Sequence, residues 1–248
     1  MKRFLTVFLI SSTIFSSYAQ TWKLKRYEVT YGISIFEYFG DVGGTADKSN
    51  LFGLKDINIL SCRPGVNFGG TYKLAEGLYI HATNTFGVIA QKDEGSRNSK
   101  RGFAFRSIVD ELSVQGIFFI IPEKRNYYYS IMKMRGGLRS INQPLSLYAF
   151  AGVGGLYYKV KAKENLVGSP RFVGDKSLTL TFPVGLGVKF AYSPDLSFNM
   201  ELGARITRSD YLDGVTSVYS KHNDMYYILN FRAMYRISKL KDIKKLFR

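Results

Sequence analysis

The chain reads as all-β, an eight-stranded antiparallel transmembrane β-barrel with a packed interior. Three observations carry that reading. Eight stretches alternate apolar and polar residues, long polar loops alternate with shorter turns between them, and one stretch is oily along the whole of one face. In residues 178–192 that face is Leu178, Leu180, Phe182, Val184, Leu186, Val188, Phe190 and Tyr192. Thr179, Thr181, Pro183, Gly185, Gly187, Lys189 and Ala191 make the opposite face. Strand side chains repeat every two residues, so this is one strand with an oily side and a small or polar side. Its length exceeds the about 9–11 residues that a tilted spanning strand needs.

The other strands follow in order. The first covers residues 27–36, with Tyr27, Val29, Tyr31, Ile33 and Ile35 on the apolar side, and a loop over residues 40–56 follows. The second sets Leu60, Cys62, Pro64, Val66, Phe68 and Tyr72 against Ser61, Arg63, Asn67, Thr71 and Lys73. Pro64 lacks a ladder donor, which predicts a bulge or irregular pairing there. A tight turn at residues 75–77 leads to the third strand, with Leu78, Ile80, Ala82, Phe86 and Val88 opposite Tyr79, His81, Thr83, Thr85 and Gly87. After a charged loop at residues 91–102, the fourth sets Leu112, Val114, Gly116, Phe118 and Ile120 against Glu111, Ser113 and Gln115. The fifth, residues 145–158, is rich in glycine and aromatics, and a loop at 161–177 separates it from the sixth. A turn at residues 193–195 precedes the seventh, with Leu196, Phe198, Met200, Leu202, Ala204 and Ile206 on its apolar side. A loop at residues 209–223 leads to the eighth, with Met225, Tyr227, Leu229, Phe231, Ala233, Tyr235 and Ile237 opposite Asn230, Arg232 and Arg236.

Residues 1–19 read as a secretory signal peptide. Lys2 and Arg3 precede an apolar run, and Ser17-Tyr18-Ala19 gives a small-x-small cleavage site before Gln20. No Cys follows that site, so a lipoprotein anchor is not expected. Residues 20–238 then form the barrel and residues 239–248 a basic tail. No later segment offers 18 consecutive apolar residues, so no helical span is expected. Losing Lys2 and Arg3 lowers the formal charge from +16 to +14, which suits anionic lipid or an acidic protein partner. An exported chain without a recognition motif is a poor candidate for nucleic acid. The single Cys62 excludes an internal disulfide framework, and its place on the apolar face reads as a small buried or lipid-facing residue.

An even strand count lets the last strand pair with the first, which removes the open edge and puts both termini on one side, the periplasmic one. The one exception to short turns on that side is residues 122–144. Alternation alone also fits a soluble barrel with an apolar interior. Lipid is favoured by glycines on the small face (Gly65, Gly69, Gly185, Gly187, Gly203), by aromatics near strand ends (Tyr72, Tyr192, Phe198, Tyr235), and by charges of both signs on the small face. Those charges are Arg63, Glu111, Lys189, Glu201, Arg205 and Arg232. An eight-stranded lumen is filled by its own side chains, so they are expected as structural ion pairs rather than a conduction path.

No catalytic, metal, cofactor or small-molecule site is expected. His222 lies between Ser220 and Asp224, but sequence neighbours in a polar loop do not make a triad, which is defined by geometry. His81 falls on the inward face. No Cys/His metal spacing, calcium loop or phosphate-cradling glycine loop is present. The candidate partner contacts are basic: Lys124, Arg125, Lys133, Arg135 and Arg139 in residues 122–144, and Lys239, Lys241, Lys244 and Lys245 in the tail. They read either as a solvated end and loop or as docking strips for the inner leaflet or an acidic periplasmic partner.

Several segments stand out as motifs: Phe39-Gly-Asp41, Arg63-Pro-Gly65, Phe105-Arg106 with Glu111-Leu-Ser113, and Tyr148-Ala-Phe-Ala-Gly-Val-Gly-Gly155. The most distinctive is Ser209-Asp-Tyr-Leu-Asp-Gly214, continuing into Tyr219-Ser-Lys-His-Asn-Asp224. Together they resemble a family of small Bacteroidota outer-membrane barrels of the PorG type, an outer-membrane component of the type IX secretion machinery. The resemblance implies an OmpA/OmpX-like barrel without catalytic residues, anchoring periplasmic ring proteins at the outer membrane. The alternative is a general envelope-stabilising or adhesive barrel that acts through its outer loops.

Overall fold

The computed structural model describes residues 26–40, 42–43, 61–94, 99–122, 144–174, 177–193, 195–215 and 223–237. Eight strands follow one another: β1 (Tyr27–Phe39), β2 (Arg63–Ala75), β3 (Leu78–Lys92), β4 (Phe103–Ile121), β5 (Leu145–Glu164), β6 (Leu178–Ala191), β7 (Leu196–Thr207) and β8 (Met225–Ile237). Each pairs antiparallel with its sequence neighbours, and β8 pairs with β1 from Tyr27↔Ile237 to Phe39↔Met225, so the sheet is a closed barrel.

The register sets the dimensions. A walk along paired residues goes Tyr27, Tyr72, Ile80, Gly116, Ala151, Val184, Ala204, Tyr227 and returns to β1 at Glu37. It lands ten residues from its start, which is the shear of the barrel. Ten rises of about 3.3 Å over eight spacings of about 4.8 Å tilt the strands by about 40°. The outward run from Leu196 to Ile206 then climbs about 25 Å, the height of a lipid-facing band.

The two faces are inverted relative to a soluble domain. Outward side chains are apolar and open: Tyr31, Ile33, Leu112, Leu186 and Leu202 are all exposed, the last two at 56% and 57%. Inward ones are polar and buried, among them Thr30, Asn67, Thr83, Glu111, Glu201, Arg205 and Asn230. The soluble alternative needs the opposite arrangement. Aromatic rings gather at the rim holding Tyr27 and Ile237: Tyr27 lies 5.1 Å from Tyr72, and Tyr192 lies 6.1 Å from Phe198. One polar pair interrupts the outward face near the opposite rim, where Asn84 Nδ2 donates to Asp110 Oδ1 at 2.8 Å.

Three expectations need correction. The irregularity expected at Pro64 is absent, since Ile35↔Pro64 continues the β1–β2 register and the shift falls between Lys73 and Ala75. Pro64 is the second residue of β2, before pairing with β3 begins at Gly65, where a missing donor is tolerated. Pro183 is the proline that interrupts a ladder: β5–β6 pairing stops at Ala151↔Val184 and resumes in register at Gly154↔Thr181. The strands also run further than alternation indicated. β4 starts at Phe103 and β5 continues to Glu164, because both faces of their last turns are covered or polar and the period-two contrast is lost there. Finally, Cys62 precedes β2 and is half-buried, with Sγ donating to Glu37 Oε2 at 3.1 Å. Burial and the Glu37 carboxylate push that thiol up to about 11.

The face assignment predicts an asymmetry in tolerance. Leu202→Arg should destabilise the barrel in lipid vesicles by about 2–4 kcal/mol, read by reversible unfolding in denaturant. Val167→Arg, on an equally exposed loop residue, should change it by less than about 0.5 kcal/mol. Equal tolerance of the two would mean that Leu202 faces water.

Candidate functional site

Alternation brings the inward charges of five strands into one lumen. At the terminal rim, Lys189 Nζ donates to both Glu28 oxygens, at 2.8 and 2.9 Å, and Arg236 Nη2 donates to Glu28 Oε1 at 2.7 Å. In the middle, Arg232 Nη1 donates to Glu201 Oε2 at 2.9 Å while its Nε donates to Asn67 Oδ1 at 2.8 Å. Asn67 donates to Ser34 Oγ, Ser34 donates to Asn230 Oδ1, and Asn230 Nδ2 returns to Glu201 Oε1. Tyr148 Oη also donates to Glu201 and accepts from Asn199 Nδ2. One layer higher, Glu111 accepts from Arg205 Nε at 3.2 Å and from the Tyr226 hydroxyl. Lys189–Glu28 and Arg205–Glu111 join strands three apart, and the middle network runs from Asn67 on β2 through Arg232 and Glu201 to Tyr148 on β5, so the lumen is bridged at three levels. Glycines admit the bulk: a Cβ at Gly187 would collide with the Tyr148 ring.

A small cavity near the terminal rim is lined by Glu28, Thr71, His81, Tyr148, Lys189 and Asn199, among others. Thr71 Oγ1, His81 Nδ1 and Asn199 Oδ1 have no protein partner, and internal water is the usual companion of such atoms. His81 itself sits beside Thr30, with Nε2 3.3 Å from Oγ1.

Above the charges the lumen changes character. Phe36, Tyr38, Phe105, Val109, Leu156, Tyr158, Tyr226 and Ile228 from the walls meet Val42, Leu166, Leu212 and Val215 from three loops in one apolar cluster. Three aspartates tie those loops to one another and to the wall. Asp213 accepts from the Val42 and Val215 amides at 3.2 and 2.8 Å. Asp224 accepts from the Tyr38 hydroxyl at 2.7 Å and the Leu212 amide at 2.8 Å. Asp93 accepts from the Gly43 and Phe103 amides and from Arg101. Burial, then the neighbouring Asp213, hold the Asp224 carboxyl well above the usual carboxylate range, although its two hydrogen bonds pull the other way.

The inward charges read from the sequence therefore separate. Glu111, Lys189, Glu201, Arg205 and Arg232 form the buried pairs just described. Arg63 is inward in register but only half-buried at the loop-side rim, where its Nη1 donates to the Cys62 carbonyl at 2.9 Å. Sequence reading missed Glu28 and Asn67 as network members, and it missed the cap. The segment Ser209-Asp-Tyr-Leu-Asp-Gly214 was the available signal, since Ser209, Leu212 and Asp213 all work in that cap. Lys124, Arg125, Lys133, Arg135, Arg139, Lys239, Lys241, Lys244 and Lys245 lie outside the described residues, as do residues 1–19, Ser220 and His222. Among the described residues no group of three or more His, Cys, Asp or Glu side chains is arranged to hold a metal.

Two outcomes follow from these contacts. Glu201→Ala leaves the Arg232 guanidinium buried without its counter-ion and should cost about 3–5 kcal/mol, whereas Glu201→Met with Arg232→Met should cost less than the single change. Both are read by denaturant unfolding in vesicles. For the cap, a carboxyl whose folded pKa is raised stabilises below its unfolded pKa and loses that contribution as pH rises through the folded value. Amide protection at Leu212 should therefore fall as pH rises above the ordinary carboxylate range toward the raised folded pKa, and Asp224→Asn should flatten that fall. Unchanged protection across this range in the native chain would refute the assignment.

No family model matches the chain, and no curated sequence does. Solved structures do align with it at low identity. Neisserial surface protein A is 10% identical, with 85% of this chain and 97% of that one covered and a TM-score of 0.44. Ail, the attachment invasion locus protein of Yersinia pestis, is 12% identical over 86% and 99%, with a TM-score of 0.44. OprG of Pseudomonas aeruginosa is 10% identical over 86% and 96%, with a TM-score of 0.47. The eight-stranded antiparallel barrel described above rests on this chain's own register and closure.

Proposed function

We propose that this chain is a non-enzymatic integral barrel of the bacterial outer membrane that anchors a periplasmic protein complex of the type IX secretion kind. The observation that carries this reading is the filled lumen. Charges bridge it at three levels and an aromatic cap lies above them, so the two rims are where such a barrel can work. At the rim with Tyr27 and Ile237, β4 ends at Ile121 and β5 begins at Leu145. Residues 122–144 and the tail therefore leave from that rim with their basic side chains, Lys124, Arg125, Lys133, Arg135 and Arg139, then Lys239, Lys241, Lys244 and Lys245. Clustered cations on one side favour an acidic surface through complementary fields. The motif resemblance adds that such a surface belongs to a periplasmic ring.

One observation favours the alternative, an envelope-stabilising or adhesive barrel. The loop-side cap is ordered by three aspartates and an apolar cluster, as a platform for external contacts would be.

The two readings differ in which rim matters. Photo-cross-linkers at Arg135 and Lys241 should capture a discrete periplasmic protein, and those at Asn50 or Asn98 should not. Deleting residues 122–144 together with 239–248 should abolish secretion while heat-modifiable gel mobility stays intact. Continued secretion without a periplasmic adduct would transfer the function to the loops. In planar bilayers the purified barrel should pass no steady ionic current.

A further inference from the structure

β4 and β5 continue beyond the lipid-facing band, and their outward side chains change sign there. Ile108 and Tyr157 are the last apolar outward residues of that hairpin, both exposed. Above them come Arg106 on β4 and Lys159, Lys161 and Lys163 on β5, all exposed. Arg106 is directly opposite Lys161 in the ladder, and Lys159 and Lys163 are its diagonal neighbours. Opposite residues on one face are about 5 Å apart and diagonal ones about 7–8 Å, distances at which like charges repel. No ion pair among the described residues involves any of the four. The acids nearby are already engaged, Glu164 with Lys92 at 3.0 Å and Asp110 with Asn84. On the inward side of the same stretch, Val160 and Ala162 pack against the apolar cap, so the hairpin holds its cations on a fixed sheet surface.

We infer that Arg106, Lys159, Lys161 and Lys163 form a binding surface for the phosphorylated headgroup of a lipid in the leaflet at the loop-side rim. The inference rests on the lipid-facing reading of the band. Charge and height both select this ligand. Four exposed cations with no ion pair among the described residues attract an anion, and a phosphate bridging two strands relieves the cross-strand repulsion. The patch begins within two residues of Ile108 and Tyr157, so a headgroup seated on it lays its acyl chains on those side chains and on Leu178 and Leu180 below. A soluble anion gains only the charges, whereas an anionic lipid gains both contacts.

The test uses the full chain in detergent micelles doped with bis-phosphorylated lipid A or its dephosphorylated form, with bound lipid read by native mass spectrometry. The native chain should retain the phosphorylated lipid roughly tenfold more strongly. Replacing all four cations by Gln (R106Q, K159Q, K161Q, K163Q) should remove the preference, and the control Lys100→Gln with Arg171→Gln should keep it. Equal retention of both lipids by the native chain, or an undiminished preference in the fourfold variant, would overturn the inference. So would full displacement of the lipid by an equal concentration of inositol hexakisphosphate, which would assign the patch to soluble polyanions. Heat-modifiable mobility in lipid vesicles is scored separately. Its loss in the native chain would count against the membrane reading, whereas binding results on protein that retains it bear on the patch alone.

Discussion

The ladder between β1 and β8 removes the last open edge of the sheet, and most other features of the molecule follow from that closure. Once the wall is continuous, every side chain must point either to lipid or into a lumen of fixed width. Leucine, valine and aromatic residues take the outer positions, which leaves threonines, asparagines, carboxylates and guanidinium groups inside. There a charge without a partner is costly, so the interior polar groups have to answer one another. Glu28, Glu111 and Glu201 each meet a cation from another strand. The network is thus a consequence of closure, and in turn it ties opposite walls together.

The interior has two tiers because the strands are longer than the membrane band. Within the band the lumen is polar and bridged by charge. Beyond it, β3, β4 and β5 extend into the loop-side space and would expose both faces to water. The chain covers the inner face instead, drawing Val42, Leu166, Leu212 and Val215 onto Phe105, Leu156 and Tyr158. Loop amides brought into that cluster need acceptors, and Asp93, Asp213 and Asp224 supply them. Two of those carboxylates are close enough that burial and mutual repulsion keep Asp224 hard to ionise. The outer face of the same extension carries cations where the lipid-facing apolar residues end, so one hairpin serves a loop cap on one side and an anionic surface on the other.

Strand count, order, face and termini-side pairing were legible in the sequence, since period-two alternation in eight stretches is a local signal. Six strands began and ended within a few residues of the positions read from the alternation, and β4 and β5 did so at one end each. The lapses fell where locality fails. β5 runs to Glu164 because Lys159, Lys161 and Lys163 alternate with Val160 and Ala162 beyond the lipid, where an outward apolar residue is no longer required. Pro64 looked disruptive and Pro183 innocuous, because what a proline costs depends on whether a neighbour is paired at that point.

The sequence by itself determined the barrel, its oily exterior and the presence of charges on the inner face, because each is written in spacing along one strand. Which charge meets which was decided only by the tertiary structure. Lys189 reaches Glu28 across 161 positions and Arg232 reaches Asn67 across 165, pairings set by a shear of ten residues that no single strand encodes. The cap was hidden for the same reason. Ser209-Asp-Tyr-Leu-Asp-Gly214 reads as a polar loop until closure brings Tyr38, Val42 and Tyr158 beside it, and only then do its aspartates and leucine acquire partners.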